Sequence, residues 1–178
     1  MDPDSSIERR ASQVKLLLMD CDGVLTDARI WITEAGDDQK AFNTRDGLGL
    51  ELFHRAGFRS GIISGRPSTA LQRRADDLQI SFVKQNCEDK IDAFEQILGA
   101  AAVTTQEVGF IGDDLNDIPI LRRCVFAIAV ANASAETKTA AHYITTAEGG
   151  SGAVREVVEL ILKAKGLWPA IVAKYLES

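Results

Sequence analysis

The run Leu16-Leu-Leu-Met19, followed at once by Asp20-Cys21-Asp22-Gly23, constrains this chain more than any other stretch. Unbroken apolarity over the length of a short strand is what a strand buried on both faces of a parallel sheet requires. Here it ends abruptly in two carboxylates and a glycine. In an open α/β sheet ligands gather outside the carboxyl ends of the strands, so such a strand delivers acids to a place where chemistry can be done.

The rest of the chain alternates in the same idiom. Ala28 to Thr33 is rich in β-branched and aromatic residues, Glu34 to Asp38 is turn-like around Gly36, and Gln39 to Asn43 can pair back, which predicts a β-hairpin over 28–43. Leu48, Leu52, Phe53 and Ala56 then fall at helical spacing between Asp46, which suits a helix start, and Gly57, which suits its end. A strand over Phe58 to Ile63 runs into Ser64-Gly65-Arg66-Pro67, and a helix carrying Leu71, Ala75 and Leu78 leads to a short strand at Ser81 to Val83. Asp89-Lys90 opens the next helix, and Glu107 to Gly112 is a strand ending in a second acidic cluster, Asp113-Asp114-Leu-Asn-Asp117. Val125 to Val130, Ser134 to Ala141 and His142 to Thr145 read as strand, helix and strand before the glycine loop Gly149 to Gly152, with a further helix over Val154 to Lys165. The pattern predicts an α/β, Rossmann-like three-layer sandwich with a mostly parallel sheet and right-handed crossovers. One domain over 1–178 is expected, with a polar lead at 1–13 that frays or forms a short helix. Trp168, Ile171, Val172 and Tyr175 give the tail at 167–178 an amphipathic stripe.

Composition narrows the function. A formal net charge of -6 and a pI near 5.0 argue against a nucleic-acid partner, whose phosphate backbone needs a basic face. No uninterrupted apolar stretch is long enough to span a membrane, and Met1 to Gln13 lacks the basic-then-apolar order of a signal peptide. Cys21, Cys87 and Cys124 are widely spaced, which fits a reducing, cytoplasmic setting better than a disulfide framework. Cys21 is not the centre of a cysteine phosphatase, because the arginine required six residues on is replaced by Asp27. His54 and His142 are too few for a histidine zinc site, and neither a Walker loop nor a dinucleotide fingerprint is present.

Acidic pairs in loops are commonly turn residues or helix caps, so Asp20-x-Asp22 alone is a weak signal. It gains weight because Ser64, Lys90 and Asp113 recur at the ends or starts of later elements. On Asp20-x-Asp22, Ser64, Lys90 and Gly112-Asp113-Asp114-x-x-Asp117 the chain resembles the haloacid dehalogenase superfamily of phosphohydrolases, over nearly its whole length. The resemblance implies that Asp20 attacks phosphorus in line to give an aspartyl phosphate, and that Asp22 protonates the leaving alkoxide and then deprotonates water. An anionic nucleophile approaching an anionic phosphate calls for a divalent cation, and Mg²⁺ is the cofactor implied, held by Asp20, Asp113 and the backbone carbonyl of Asp22. Asp114 or Asp117 would support the site from behind. Ser64 and Lys90 would offer a hydroxyl and a cation to the phosphoryl oxygens. Taken singly, Ser64 equally suits a cap for the helix after Pro67, and Lys90 a solvated first-turn lysine.

A cap domain has no room here, since Asp27 to Ser64 holds only the hairpin and one helix. Phe42-Asn43-x-Arg45-Asp46-Gly47, Ser64-Gly65-Arg66 and Gly149-Gly150-x-Gly152-Ala153-Val154-Arg155-Glu156 resemble the capless branch of the superfamily, which includes phosphatases of 3-deoxy-D-manno-octulosonate 8-phosphate. That branch implies a sugar-acid phosphate substrate, with Gly65 and Arg66 at the sugar carboxylate and Arg45 and Asp46 also facing the substrate. It further implies a homotetramer with hairpins at its centre, where Ile30, Trp31 and Ile32 supply apolar contact. In that branch a neighbour's tail can help enclose the site. The stripe on this tail instead predicts packing on its own domain. Two alternatives remain, a nine-carbon ulosonate 9-phosphate as substrate and a non-catalytic domain of the kind fused to sialate-activating synthetases. The complete set of acids, hydroxyl and lysine argues against the second.

Overall fold

The structure, a computed structural model, describes residues 3–34 and 38–177. In chain order it runs α1 (Pro3–Gln13), β1 (Leu16–Met19), β2 (Trp31–Ile32), β3 (Asp38–Gln39), α2 (Thr44–Arg55), β4 (Arg59–Ile63), α3 (Thr69–Asp77), β5 (Phe82–Lys84) and α4 (Lys90–Ala101). After β6 (Val108–Gly112) come α5 (Ile118–Leu121), β7 (Phe126–Ala129), α6 (Ala135–Ala140), β8 (Tyr143–Ile144), α7 (Ala153–Ala164) and α8 (Trp168–Leu176).

Six strands form one parallel sheet in the order β5-β4-β1-β6-β7-β8. β1 is central because it is apolar throughout, and alternate residues go to opposite layers. Leu17 and Met19 join Ile62, Ile111, Phe126 and Ile128 in a core shared with Leu50 and Phe53 of α2, Leu71 of α3 and Val157 and Ile161 of α7. Leu16 and Leu18 join Ile63, Phe110 and Ala127 against Phe94 and Ile97 of α4 and Ile120 of α5. The period-2 split of a strand covered on both faces therefore sorts the helices into two layers. Phe53, Phe94, Phe110 and Phe126 are fully buried, and truncating any one to alanine would cost about 3–5 kcal/mol.

Of the two outcomes expected for the polar lead, the structure shows the helix, α1. Its Ala11 is buried and the guanidinium of Arg10 donates to the carbonyl of Val125 at 3.0 Å. The tail also folds back: α8 sets Trp168 and Ile171 against the larger core, with the Arg155 and Lys163 cations 5.5 and 5.6 Å from the Trp168 ring centroid. The hairpin is minimal, two residues a strand, with Trp31 opposite Gln39 and Ile32 opposite Asp38. Gly36, expected in its turn, lies outside the described residues.

Candidate active site

Strand register assembles the site. Met19 is level with Ile62 of β4 and with Ile111 of β6, so Asp20, Ser64 and Asp113 all emerge at one edge of the sheet. The order matters as much as the register. After β1 the chain builds outward through β4 and β5 and then returns to the other side of β1 for β6, β7 and β8, which makes this edge the topological switch point where ligands collect. The loop after β1 is tight, with the Cys21 carbonyl accepting from the amides of Val24, Leu25 and Thr26 at 3.3, 3.0 and 3.1 Å. Gly23 has a φ of +93°, and a Cβ there would come within 2.0 Å of Asp113 Oδ2.

Asp20, Asp113 and Asp117 bring carboxylate oxygens within 4.8 Å of one another. Lys90 stands among them, its ammonium 2.9 Å from Asp20 Oδ2 and 2.8 Å from Asp117 Oδ1. Asp89 caps α4 by accepting from the Ile91 amide, and that places Lys90 in the first turn, buried rather than solvated. Burial works against its charge, but Asp117 and Asp20 outweigh it and hold its pKa above the usual lysine value. Burial lifts the Asp20 pKa to about 6, against the pull of Lys90 and with the Asp117 charge adding to the rise. Burial, then the charges of Asp117 and Asp20, push Asp113 up to about 7. Its Oδ1 is buried without a hydrogen-bond partner. Three carboxylates around one ammonium, with one oxygen left without a partner, carry more negative than positive charge, and a hard divalent cation with oxygen ligands fits the excess.

Of Asp114 and Asp117, the structure brings Asp117 into this cluster and leaves Asp114 outside it. Asp117 is fully buried, accepts from the Lys90 ammonium with Oδ1, and accepts from the Asp113 and Asp114 amides with Oδ2 at 2.9 and 3.4 Å. Asp114 is exposed and caps the following 3-10 turn through the Leu115 amide. Ser64 is buried at the end of β4, where its hydroxyl is 3.4 Å from the Arg66 amide. It is not the helix cap: Ser68 accepts from the Leu71 amide and caps α3 instead. Gly65 and Arg66 are exposed beside it. Arg45 is also exposed and lines an open depression with Ser151, Arg155 and Glu159.

Asp46 departs from the expectation that it faces the substrate. It is buried, and its oxygens accept from the Gly152 and Arg155 amides at 3.3 and 2.8 Å. The physical reason is that α7 opens on Gly152, which has no capping side chain, so the first amides of α7 take their acceptor from α2. Burial raises the Asp46 pKa despite these bonds. The residue that sequence reasoning missed is Lys40, which forms an ion pair with Asp22 Oδ1. Its only signal was a lysine directly after the hairpin, and a solvated lysine reads the same way. An apolar cavity of about 380 Å³ between α2 and α8, lined by Leu52, Leu167, Ile171 and Tyr175, shares no residue with the acidic cluster.

Comparison with known proteins agrees with this geometry. The haloacid dehalogenase-like hydrolase family matches residues 73–157. The 3-deoxy-D-manno-octulosonate 8-phosphate phosphatase of Yersinia pestis is 39% identical over 157 residues, 88% of this chain and 84% of that one. The Moraxella catarrhalis enzyme of the same name, solved with magnesium, phosphate and the sugar acid KDO, superposes with a TM-score of 0.94 at 40% identity, covering 96% of this chain and 98% of that one. A probable YrbI-family phosphatase of Pseudomonas syringae gives 0.95 at 41% identity over 98% of this chain and 99% of its own. With the acids, the lysine and the sheet edge in register, the chain belongs to the haloacid dehalogenase-like hydrolases, as a phosphatase of the family to which the Yersinia and Moraxella enzymes belong.

Proposed function

We propose that the protein is a magnesium-dependent phosphatase that converts 3-deoxy-D-manno-octulosonate 8-phosphate to the free sugar acid and phosphate through an aspartyl phosphate. The observation that carries this reading is the convergence of Asp20, the orphaned Asp113 and the Lys90–Asp117 pair at the switch point. The 40% identity to a protein solved with magnesium, phosphate and KDO supports the choice of ligands.

Asp20 bonds to phosphorus as the bond to the sugar oxygen breaks, and Asp22 gives that oxygen its proton. Asp22 then takes a proton from water, whose oxygen attacks phosphorus and releases Asp20. Lys90 and the Ser64 hydroxyl offset the charge on the phosphoryl oxygens. Asp20, Asp113 and the carbonyl of Asp22 would hold magnesium, which would supply a Lewis acid and screen the nucleophile from the phosphate. Arg66, exposed next to Ser64, presents a planar fork suited to the sugar carboxylate, with Gly65 leaving room beside it. Arg45 is a second cation for the sugar end. Trp31 and Ile32, 66% and 72% exposed on the hairpin, suit association of four copies, in keeping with a homotetramer. Three free cysteines fit the cytoplasm.

Phosphate release from a panel of eight- and nine-carbon ulosonate phosphates, with and without Mg²⁺, tests the proposal. Turnover of the eight-carbon ester with magnesium is expected. Failure to hydrolyse any ulosonate phosphate would overturn the substrate.

A further inference from the structure

The hairpin brings something to the site besides the exposed apolar side chains of β2. Directly after β3 the chain turns inward and lays Lys40 against Asp22, with the lysine side chain 1% exposed and the aspartate side chain 19% exposed. Lysine ordinarily keeps its ammonium in water, and enclosing one costs free energy unless an anion receives it. The hairpin does not need so deep an anchor to form. It is two residues a strand, and its return arm is already tied by Phe42, packed on the larger core, and by Asn43, which caps α2 and donates to the Gly150 carbonyl at 3.1 Å.

What the ion pair does determine is the direction of a carboxylate on a loop. Asp22 must aim one oxygen at the leaving oxygen of the substrate and later at a water, and a displacement near 1 Å at such a step costs roughly a hundred-fold in rate. Holding Oδ1 fixes where the second oxygen points. We propose that Lys40 is a positioning residue for Asp22, so that the return arm of the hairpin sets the geometry of proton transfer. This inference rests on the reading of Asp22 as the acid and base.

The test uses kcat/KM, which reports the steps through phosphoryl transfer to Asp20, on two esters at saturating Mg²⁺. One is an alkyl ester, the sugar phosphate, whose alkoxide must be protonated as it leaves. The other is p-nitrophenyl phosphate, whose leaving group needs no proton. Lys40→Met should lose roughly ten- to a hundred-fold on the alkyl ester and less than about three-fold on the aryl ester. Lys40→Arg, which keeps a cation, should show the same selective loss in smaller measure. Aryl turnover doubles as the control for folding, and if Lys40→Met does not fold, the comparison is made on Lys40→Arg. Equal loss on both esters, or none on either, overturns the proposal. Asp22→Asn separates this failure from that of the parent reading. If Asp22→Asn shows the selective loss and the Lys40 variants do not, only the role of Lys40 falls; if Asp22→Asn shows none, the acid and base assignment falls with it.

Discussion

The acids at the ends of β1 and β6 are held by the sheet itself, whereas the groups that would meet the sugar stand on loops and on the surface of α2. Asp20, Asp117 and Lys90 are buried and satisfy one another. Arg45, Gly65 and Arg66 are exposed, and so are Trp31 and Ile32 on the hairpin. On the function proposed above, phosphoryl chemistry belongs to the buried cluster, and recognition of the sugar to exposed side chains that a neighbouring copy would cover.

That contrast is most sharply tested at its buried end. Asp20→Asn should lower kcat by at least about a thousand-fold while circular dichroism stays unchanged, because an amide is neither a nucleophile nor a strong ligand. Substantial residual hydrolysis would break the claim that chemistry resides there.

Next in size is the metal-free pH response. Asp113 and Asp20, raised to about 7 and about 6 from the ordinary carboxylate value of 3.8, hold more protons in the folded state than in the unfolded one. Their contribution to stability is complete below the unfolded pKa and is lost as pH rises through 6 and 7. Without metal, the melting temperature should therefore fall between pH 5 and pH 8, and Mg²⁺ should restore it at pH 8 more than at pH 5. Asp113→Asn should flatten the metal-free profile and abolish the response to Mg²⁺ in the same thermal scans. A profile that stays steep in the variant would place the destabilising charge elsewhere.

A smaller effect separates structure from recognition. Asp46→Ala removes the acceptor that the start of α7 uses and should cost about 1–2 kcal/mol, or roughly 2–8 °C in melting temperature for a chain of this size. The KM of the folded fraction should hardly move. A large rise in KM with unchanged stability would return Asp46 to the substrate. Smallest for the single chain is Trp31→Glu, which should leave the fold's melting behaviour in dilute solution nearly unchanged yet reduce the particle mass seen by light scattering. An unchanged mass would remove the hairpin from the interface.

The contrast also explains what could be read in advance. Asp20, Ser64, Lys90 and Asp113 were legible because each follows a buried strand or opens a helix, and the ends of buried strands converge by geometry. Lys40 was not legible, since nothing local distinguishes a lysine that turns inward from one that stays in water. Asp46 is ambiguous in the sequence for a related reason: an aspartate near a helix start suits its own helix, a ligand or a neighbouring helix equally well, and only the approach of α7 brings it the amides it bonds. Which of its two expected outcomes α1 takes is decided by Ala11 and Arg10 meeting distant partners, not by its own polar sequence.

Gly149 sits so close to the loop after β1 that a Cβ on it would lie 1.7 Å from the Gly23 carbonyl oxygen, and the Gly150 amide donates to the Val24 carbonyl at 2.9 Å. These two stretches touch backbone to backbone, with no side chain whose exchange could absorb a shift. Any side chain at 149 would drive this stretch off the loop after β1, so Gly149→Ala should inactivate the protein even when every acid is retained, and what is fixed here is a contact between main chains rather than a motif.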